Sequence, residues 1–398
     1  MTVDTHVNAC IITQMKPSDL LKGYNTKKLT IGALGGHSAL DVCAGAKKHG
    51  FRTVVVAQEG REKTYEKYFK VRERAGARAG CVDEVIKVKA FKDVLEEKVQ
   101  AELRKMNTIF IHSRYFWVYF QDAFAKIETD FSVPIFGNRS YVKIEERGST
   151  SLTTGDQKPN QYDLLKKAGI RTPKIFTNPK DIDRPVLVKA QEPQRGYERA
   201  FFFVPTAGQY EAIGTQEEKE GRVAANWRSA QIEEFILGAY VNFNFFYSPL
   251  SGELELLGTD TRRQTNLDGF LHLTAHEQKL VRESFHVKRI ETGHIAVTVK
   301  ESLLEKAFDL GEKFVKATKT MLGKEIIGPF ALQGAVIAEE GREDIVIFDV
   351  SLRVPGSPGI RATPYSGYLY GEPMSCGERI AMEIKEAVKQ GRLEEVVT

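Results

Sequence analysis

KLTIGALGGHSALDVCAGAKKHGFRTVVVAQ (28–58) decides the fold class of this 398-residue chain. The apolar run KLTIGAL (28–34) suits a buried strand and Gly35-Gly36 a tight turn. HSALDVCAGAKKHG (37–50) suits a helix that stops at Gly50, and RTVVVAQ (52–58) a second strand. Strand, helix and strand in that order make a parallel pair joined by a crossover. The cycle repeats through EVIKV (84–88), a charged amphipathic helix over 90–105, and the strands NTIFIHS (107–113) and VPIFGN (133–138). The reading is α/β, with an N-terminal doubly wound parallel sheet over residues 1–145.

After Asn138 the composition changes. EERGSTSLTTGDQKPNQ (145–161) is polar and rich in Gly, Ser and Thr, which marks a domain boundary. Beyond it NQYDLLKKAGIRTP (160–173) predicts a helix ending at Gly169, and VLVKA (186–190) with AFFFV (200–204) predicts a hairpin whose polar tip could cover a ligand. SAQIEEFILGAYVNFNFFYSP (229–249) and ELELLGTDTRR (253–263) read as long antiparallel strands, rich in aromatic and β-branched residues. ESLLEKAFDLGEKFVKATKTM (301–321) is an amphipathic helix. FALQGAVIAEE (330–340) and DIVIFDVSLRV (344–354) form a hairpin turning at Gly341, and 376–390 a closing helix. This α+β part is expected to divide into a lid subdomain, 146–235, and a catalytic subdomain, 236–398.

Composition excludes several classes. With 42% hydrophobic and 28% charged residues the chain is neither disordered nor fibrous. Its net charge of +4 is spread along the chain, so small anionic molecules suit it better than nucleic acid. The four cysteines, Cys10, Cys43, Cys81 and Cys376, form no C-x-x-C pair and indicate neither a zinc site nor a disulfide framework. No run approaches the roughly 20 apolar residues of a membrane span, and residues 1–25 lack a secretory pattern, so a cytoplasmic protein without membrane contact is expected.

Chemistry gathers on the last hairpin. A turn near Gly341 brings Gln333 opposite Asp349, and strand alternation puts Asp349, Ser351 and Arg353 on one face. An amide oxygen, a carboxylate and a cation suit a hard metal with nucleotide phosphates, although a solvated polar stripe has the same spacing. Lys189 interrupts an apolar run, where an ammonium wants an anionic partner, or else snorkels to water from an edge strand. Glu233-Glu234-Phe235-Ile236 follows a strand and offers backbone groups and apolar side chains to a flat base. The turn Gly35-Gly36-His37-Ser38 points backbone N–H groups toward an anion, and His37 reads as a helix cap or as a ligand contact.

Taken together, LTIGALGGHSALDVCAGAKKHGF (29–51), VPIFGNR (133–139), AGIRTPK (168–174), QIEEFILG (231–238), FNFFYSPLSGELELLGTDTRRQTNLDG (243–269), GPFALQ (328–333), FDVSLRV (348–354) and PYSGYLYGEPMS (364–375) resemble the archaeal PurP family of purine-biosynthesis ligases, members of the ATP-grasp superfamily. The resemblance runs from about Leu29 to Gly391. It implies an ATP-grasp fold and an ADP-forming ligase that joins formate to the amine of aminoimidazole carboxamide ribonucleotide (AICAR) by way of formyl phosphate. It further implies that His37, Asn266 and neighbouring Arg262 contact the ribonucleotide, with Arg114 standing where the family has Ser in the same site. Lys189 and Glu233, Glu234 and Ile236 would bind ATP, and Gln333 and Asp349 would hold Mg2+ or Mn2+. Lys189 and Arg353 would stabilise the transferring phosphoryl group. The lid KAQEPQRGYERAFFF (189–203) has a single glycine where the family has several, leaving Arg195, Gly196 and Arg199 to face phosphate. VPGSPGIRATP (354–364) likewise departs from an acidic, glycine-rich stretch. A homo-oligomer is the family expectation. A paralogous ligase with another carboxylate or amine, or a non-catalytic nucleotide-binding regulator, are the competing readings.

Overall fold

The structure is a computed structural model in which residues 15–120, 123–145, 159–190, 200–285, 291–339 and 341–398 are described. The chain forms two compact units, Met1–Ser140 with Ile380–Thr398, and Tyr141–Arg379.

The first unit contains the parallel sheet. Its strands are β1 (Thr30–Leu34), β2 (Arg52–Gln58), the small antiparallel pair β3 (Arg72–Arg74) and β4 (Ala77–Ala79), then β5 (Glu84–Val88), β6 (Thr108–Ile111) and β7 (Ile135–Phe136). The main sheet runs β5-β2-β1-β6-β7 with every neighbour parallel. Val54, Val55, Val56 and Ala57 are all fully buried, because helices cover both faces of such a sheet. The expected helix over 90–105 is broken: a 3-10 turn Phe91–Leu95 precedes the helix Glu97–Lys105, and Glu96 between them is extended. Phe91 is drawn out of the helical path by its packing on the rings of Tyr115 and Tyr119, at 5.2 and 5.1 Å. Buried Arg139 donates to the carbonyls of Ile127, Val133 and Thr398, which ties the last residue to the end of the sheet.

The second unit holds two antiparallel sheets. Strands β8 (Ile175–Phe176), β9 (Val186–Lys189), β10 (Phe201–Val204) and β11 (Gln231–Glu234) pair in the order β10-β9-β11-β8. Strands β12 (Ala239–Ser248), β13 (Glu253–Gln264), β14 (Glu291–Ala296), β15 (Gly328–Glu339) and β16 (Arg342–Ser351) pair as β14-β13-β12-β15-β16. The long strand expected over 229–249 is therefore two strands in two sheets. They are separated at Phe235–Gly238, where a Cβ on Gly238 would lie 2.5 Å from the Val336 carbonyl oxygen. Only glycine lets the backbone pass that close. One face of the five-stranded sheet carries Phe243, Phe245, Phe330 and Leu332 against the helix Leu304–Leu322, with Phe314 stacked on Phe330 at 5.3 Å. The opposite face carries the polar residues Asn242, Asn244, Gln333 and Asp349 beside an apolar patch of Ala335, Ile337 and Val346.

Candidate active site

The polar face follows from a period-two pattern. In β12 Asn242 and Asn244 alternate with Phe243 and Phe245, so the core that takes the phenylalanines turns the asparagines to the other side. Strand register then aligns one residue from each of four strands, Asp260, Asn242, Gln333 and Asp349, in a single row across β13, β12, β15 and β16. All four are at least nine-tenths buried. Between the pairs Gln333–Asp349 and Gly334–Ile347, β16 carries one extra residue, Phe348, in a bulge, and a Cβ on Gly334 would meet the Val346 carbonyl oxygen at 2.2 Å.

Buried polar groups need partners, and the row supplies them. Asn242 and Asn244 both donate to the Asp260 carboxylate, Asn242 at 2.9 Å. His294 on β14 puts Nδ1 on Asp260 and Nε2 on Glu291 at 2.9 Å. Burial alone would lower the His294 imidazole, but these two carboxylates outweigh it and push it up to about 9. Burial would likewise raise Asp260, and the hydrogen bonds from His294, Asn242 and Asn244 hold it below the usual carboxylate range. Arg262 reaches Glu291 through Nε at 3.3 Å and donates to the Gln333 amide oxygen. Gln333 in turn donates from Nε2 to Ser351 Oγ at 2.9 Å.

Arg353 lies beyond β16, which ends at Ser351, so it does not share that strand as expected. It pairs with buried Glu145 at 3.3 Å and donates to the Val354 carbonyl, while its buried Nε donates to no protein group among the described residues. Lys189, at the end of β9, is buried against the equally buried Glu233 carboxylate, and its ammonium lies 3.4 Å from Tyr162 Oη and 3.3 Å from the Phe348 carbonyl. Glu233 and Glu234 are the last residues of β11 and do not follow it. Their side chains diverge: Glu234 binds Arg184 and the Lys174 N–H on the outer face. The Glu234 and Phe235 N–H groups bond to the Lys174 and Pro185 carbonyls, while Ile236 packs with Ala335, Ile337, Val346 and Phe348.

In the first unit, His37 and Arg114 follow the C-terminal ends of β1 and β6. These are adjacent parallel strands reached from opposite directions, which is where ligands bind in open α/β sheets. The two turns touch, because the His37 and Tyr115 rings are 6.3 Å apart and a Cβ on Gly36 would lie 2.0 Å from Tyr115 Cε2. Asn266 is exposed, in left-handed backbone (φ 37°) before the helix Leu267–Leu271. Arg195, Gly196 and Arg199 lie outside the described residues.

Known proteins decide the family. Two family models match, a domain of unknown function (DUF1297) over residues 210–398 and a protein of unknown function (DUF1246) over residues 31–176. The 5-formaminoimidazole-4-carboxamide-1-(beta)-D-ribofuranosyl 5'-monophosphate synthetase of Methanopyrus kandleri is 34% identical over 96% of this chain and 98% of its own length. That of Methanothermobacter thermautotrophicus is 35% identical over 96% and 97%. The chain belongs to this synthetase family. The crystal structure of the IMP biosynthesis protein PurP from Thermococcus kodakaraensis matches with a TM-score of 0.65 at 25% identity, covering 92% of this chain and all of that one. An N5-carboxyaminoimidazole ribonucleotide synthetase in its ADP complex matches at 0.52 and 12% identity over 87% of this chain and 78% of that one, so the synthetase fold is the ATP-grasp fold.

The sequence reading missed Asn242, Asn244, Asp260, Glu291, His294 and Glu145. The alternations N-F-N-F (242–245) and D-T-R (260–262) carried a signal for three of them. Glu291, His294 and Glu145 carried none. The donor set of Gln333 and Asp349, two hard oxygens in one row, fits a small divalent cation that draws its remaining ligands from phosphate and water. Among the described residues no cluster of three or more His, Cys, Asp or Glu builds an all-protein metal cage, and no helix is long and apolar enough to cross a membrane.

Proposed function

We propose that the chain joins formate to the amine of AICAR, with ATP converted to ADP and phosphate, giving the formamido ribonucleotide FAICAR in purine biosynthesis. The observation that carries the reading is the buried row ending in Gln333 and Asp349, in a chain related along 96% of its length to synthetases of that name. Gln333 and Asp349 hold Mg2+, or Mn2+ in its place; the ion, when bound, neutralises charge on the phosphates. Lys189 meets the ATP phosphates. The adenine sits beside Ile236, because the Glu234 and Phe235 N–H groups are already bonded within the protein. Arg195 and Gly196 bind ATP, with 146–235 the lid subdomain and 236–398 the catalytic one. His37, Arg114, Arg262 and Asn266 contact the ribonucleotide.

A formate oxygen attacks the γ-phosphorus and ADP leaves. The amine nitrogen then attacks the carbon of formyl phosphate, the bond to phosphate breaks, and the nitrogen loses a proton. Arg353, whose Nε has no protein acceptor among the described residues, stabilises charge on the transferring oxygens. Fixing both reactants removes the entropy of their encounter. The enzyme acts in the cytoplasm on small molecules, as a homo-oligomer.

The test is ADP release with MgATP, formate and AICAR, each omitted in turn, with the product weighed by mass spectrometry. A requirement for all three with a formylated product supports the reading. Turnover indifferent to formate points to another carboxylate, and ATP binding without turnover to a regulator.

A further inference from the structure

The amide oxygen proposed to meet the metal already has a cation on it. Arg262 donates to Gln333 Oε1, and the amide orientation is unambiguous, because a guanidinium can only donate and Gln333 Nε2 is committed to Ser351 Oγ at 2.9 Å. A divalent ion and a guanidinium cannot share one oxygen without like charges meeting at close range. Nor is Arg262 required to orient Gln333, since Ser351 and the surrounding sheet fix the amide plane. A second anchor already holds the same guanidinium. Glu291 Oε2 is 3.3 Å from Arg262 Nε, and Glu291 is held from its other side by His294, itself anchored on Asp260. The Arg262 side chain is 33% exposed, which leaves it room to turn.

We infer that Arg262 is a metal-released latch. While the metal is absent it bridges Gln333 and Glu291, and when a divalent ion takes the amide oxygen it gives up Gln333 and is held by Glu291 alone. In its second position it presents its remaining N–H donors to the anionic second substrate, so metal nucleotide binds before that substrate. This rests on the reading of Gln333 and Asp349 as the metal ligands.

The experiment measures Mn2+ binding to the full chain in the presence of ADP by electron paramagnetic resonance. Arg262→Gln removes the competing charge-assisted donor and is expected to bind Mn2+ about tenfold more tightly than the unaltered chain. A purely structural role for Arg262 would not produce a gain, and unchanged or weaker Mn2+ binding overturns the inference. Glu291→Gln removes the receiving carboxylate, keeps Arg262 on Gln333, and is expected to weaken Mn2+ binding several-fold. It serves alone should Arg262→Gln fail to fold, and unchanged affinity in it likewise overturns the latch. In the unaltered chain the affinity for AICAR should rise about tenfold when Mn2+ and ADP are present; equal affinity refutes the order of binding. An unaltered chain that binds no Mn2+ with ADP refutes the metal site itself and the latch with it. Equal Mn2+ binding by the unaltered chain and both variants refutes only the latch.

Discussion

Replacing His294 by glutamine should remove a block of stability whose size and pH window follow from its surroundings. The imidazole faces Asp260 on one side, backed by Asn242 and Asn244, and Glu291 on the other, which also carries Arg262. Its side chain is 10% exposed, so solvent screens the pair little. The ring is pushed up from 6.5 to about 9, and at roughly 1.4 kcal/mol for each tenfold change in proton affinity the charged ring contributes about 3–4 kcal/mol to folding. Because the folded value lies above the unfolded one, that contribution is complete below about pH 6.5 and fades as pH rises through about 9. Asp260 is depressed, so its share is complete above the ordinary carboxylate range and fades only in acid. Urea unfolding of both proteins, followed by circular dichroism from about pH 6 to about pH 10, reads the difference directly. The unaltered chain should exceed His294→Gln by up to about 3–4 kcal/mol at the acid end, and the two should converge at the alkaline end. A gap that stays constant, or widens with pH, refutes the argument.

Asp349→Ala should abolish ADP formation while leaving thermal unfolding nearly unchanged, and undiminished turnover would sink the metal assignment. Lys189→Ala strands the Glu233 carboxylate in the interior and should cost about 3–5 kcal/mol in denaturant titration. The double variant Lys189→Met with Glu233→Gln should recover most of that stability without recovering turnover. Gly214→Ala, in the helix Tyr210–Lys219, sets a Cβ 2.1 Å from the buried Trp227 ring and should destabilise the second unit by about 1–3 kcal/mol, measured by calorimetry; an unchanged transition would contradict the packing there.

Local pattern made much of this protein legible. β2 and β5 and the helix Cys376–Gln390 fall where apolar period and glycine punctuation place them, and the register of Gln333 with Asp349 follows from one turn at Gly341. The failures have local causes too. The run 229–249 reads as one strand because nothing in its alternation reports that a neighbouring backbone passes Gly238 at close range. Phe91 leaves the helical path for aromatic partners that come from a different part of the chain.

The candidate site shows the same division. Sequence alone named Lys189, Gln333, Asp349 and the 35–38 turn, because each sits on a short pattern that exposes it: a charge in an apolar run, a polar residue on a strand face, glycines before a helix. It also established the parallel sheet, since a continuous apolar strand followed by a helix permits few other folds. Only the tertiary structure decided the company these residues keep. Asp260, Asn242, Gln333 and Asp349 come from four strands and share a row through hydrogen-bonded register, which depends on pairing between segments far apart in the chain. Glu291 and His294 are ordinary surface residue types until β14 pairs with β13 and sets them against Arg262 and Asp260. Composition and spacing carry no record of such contacts, because the free energy of a charge in a protein is set by what surrounds it in space.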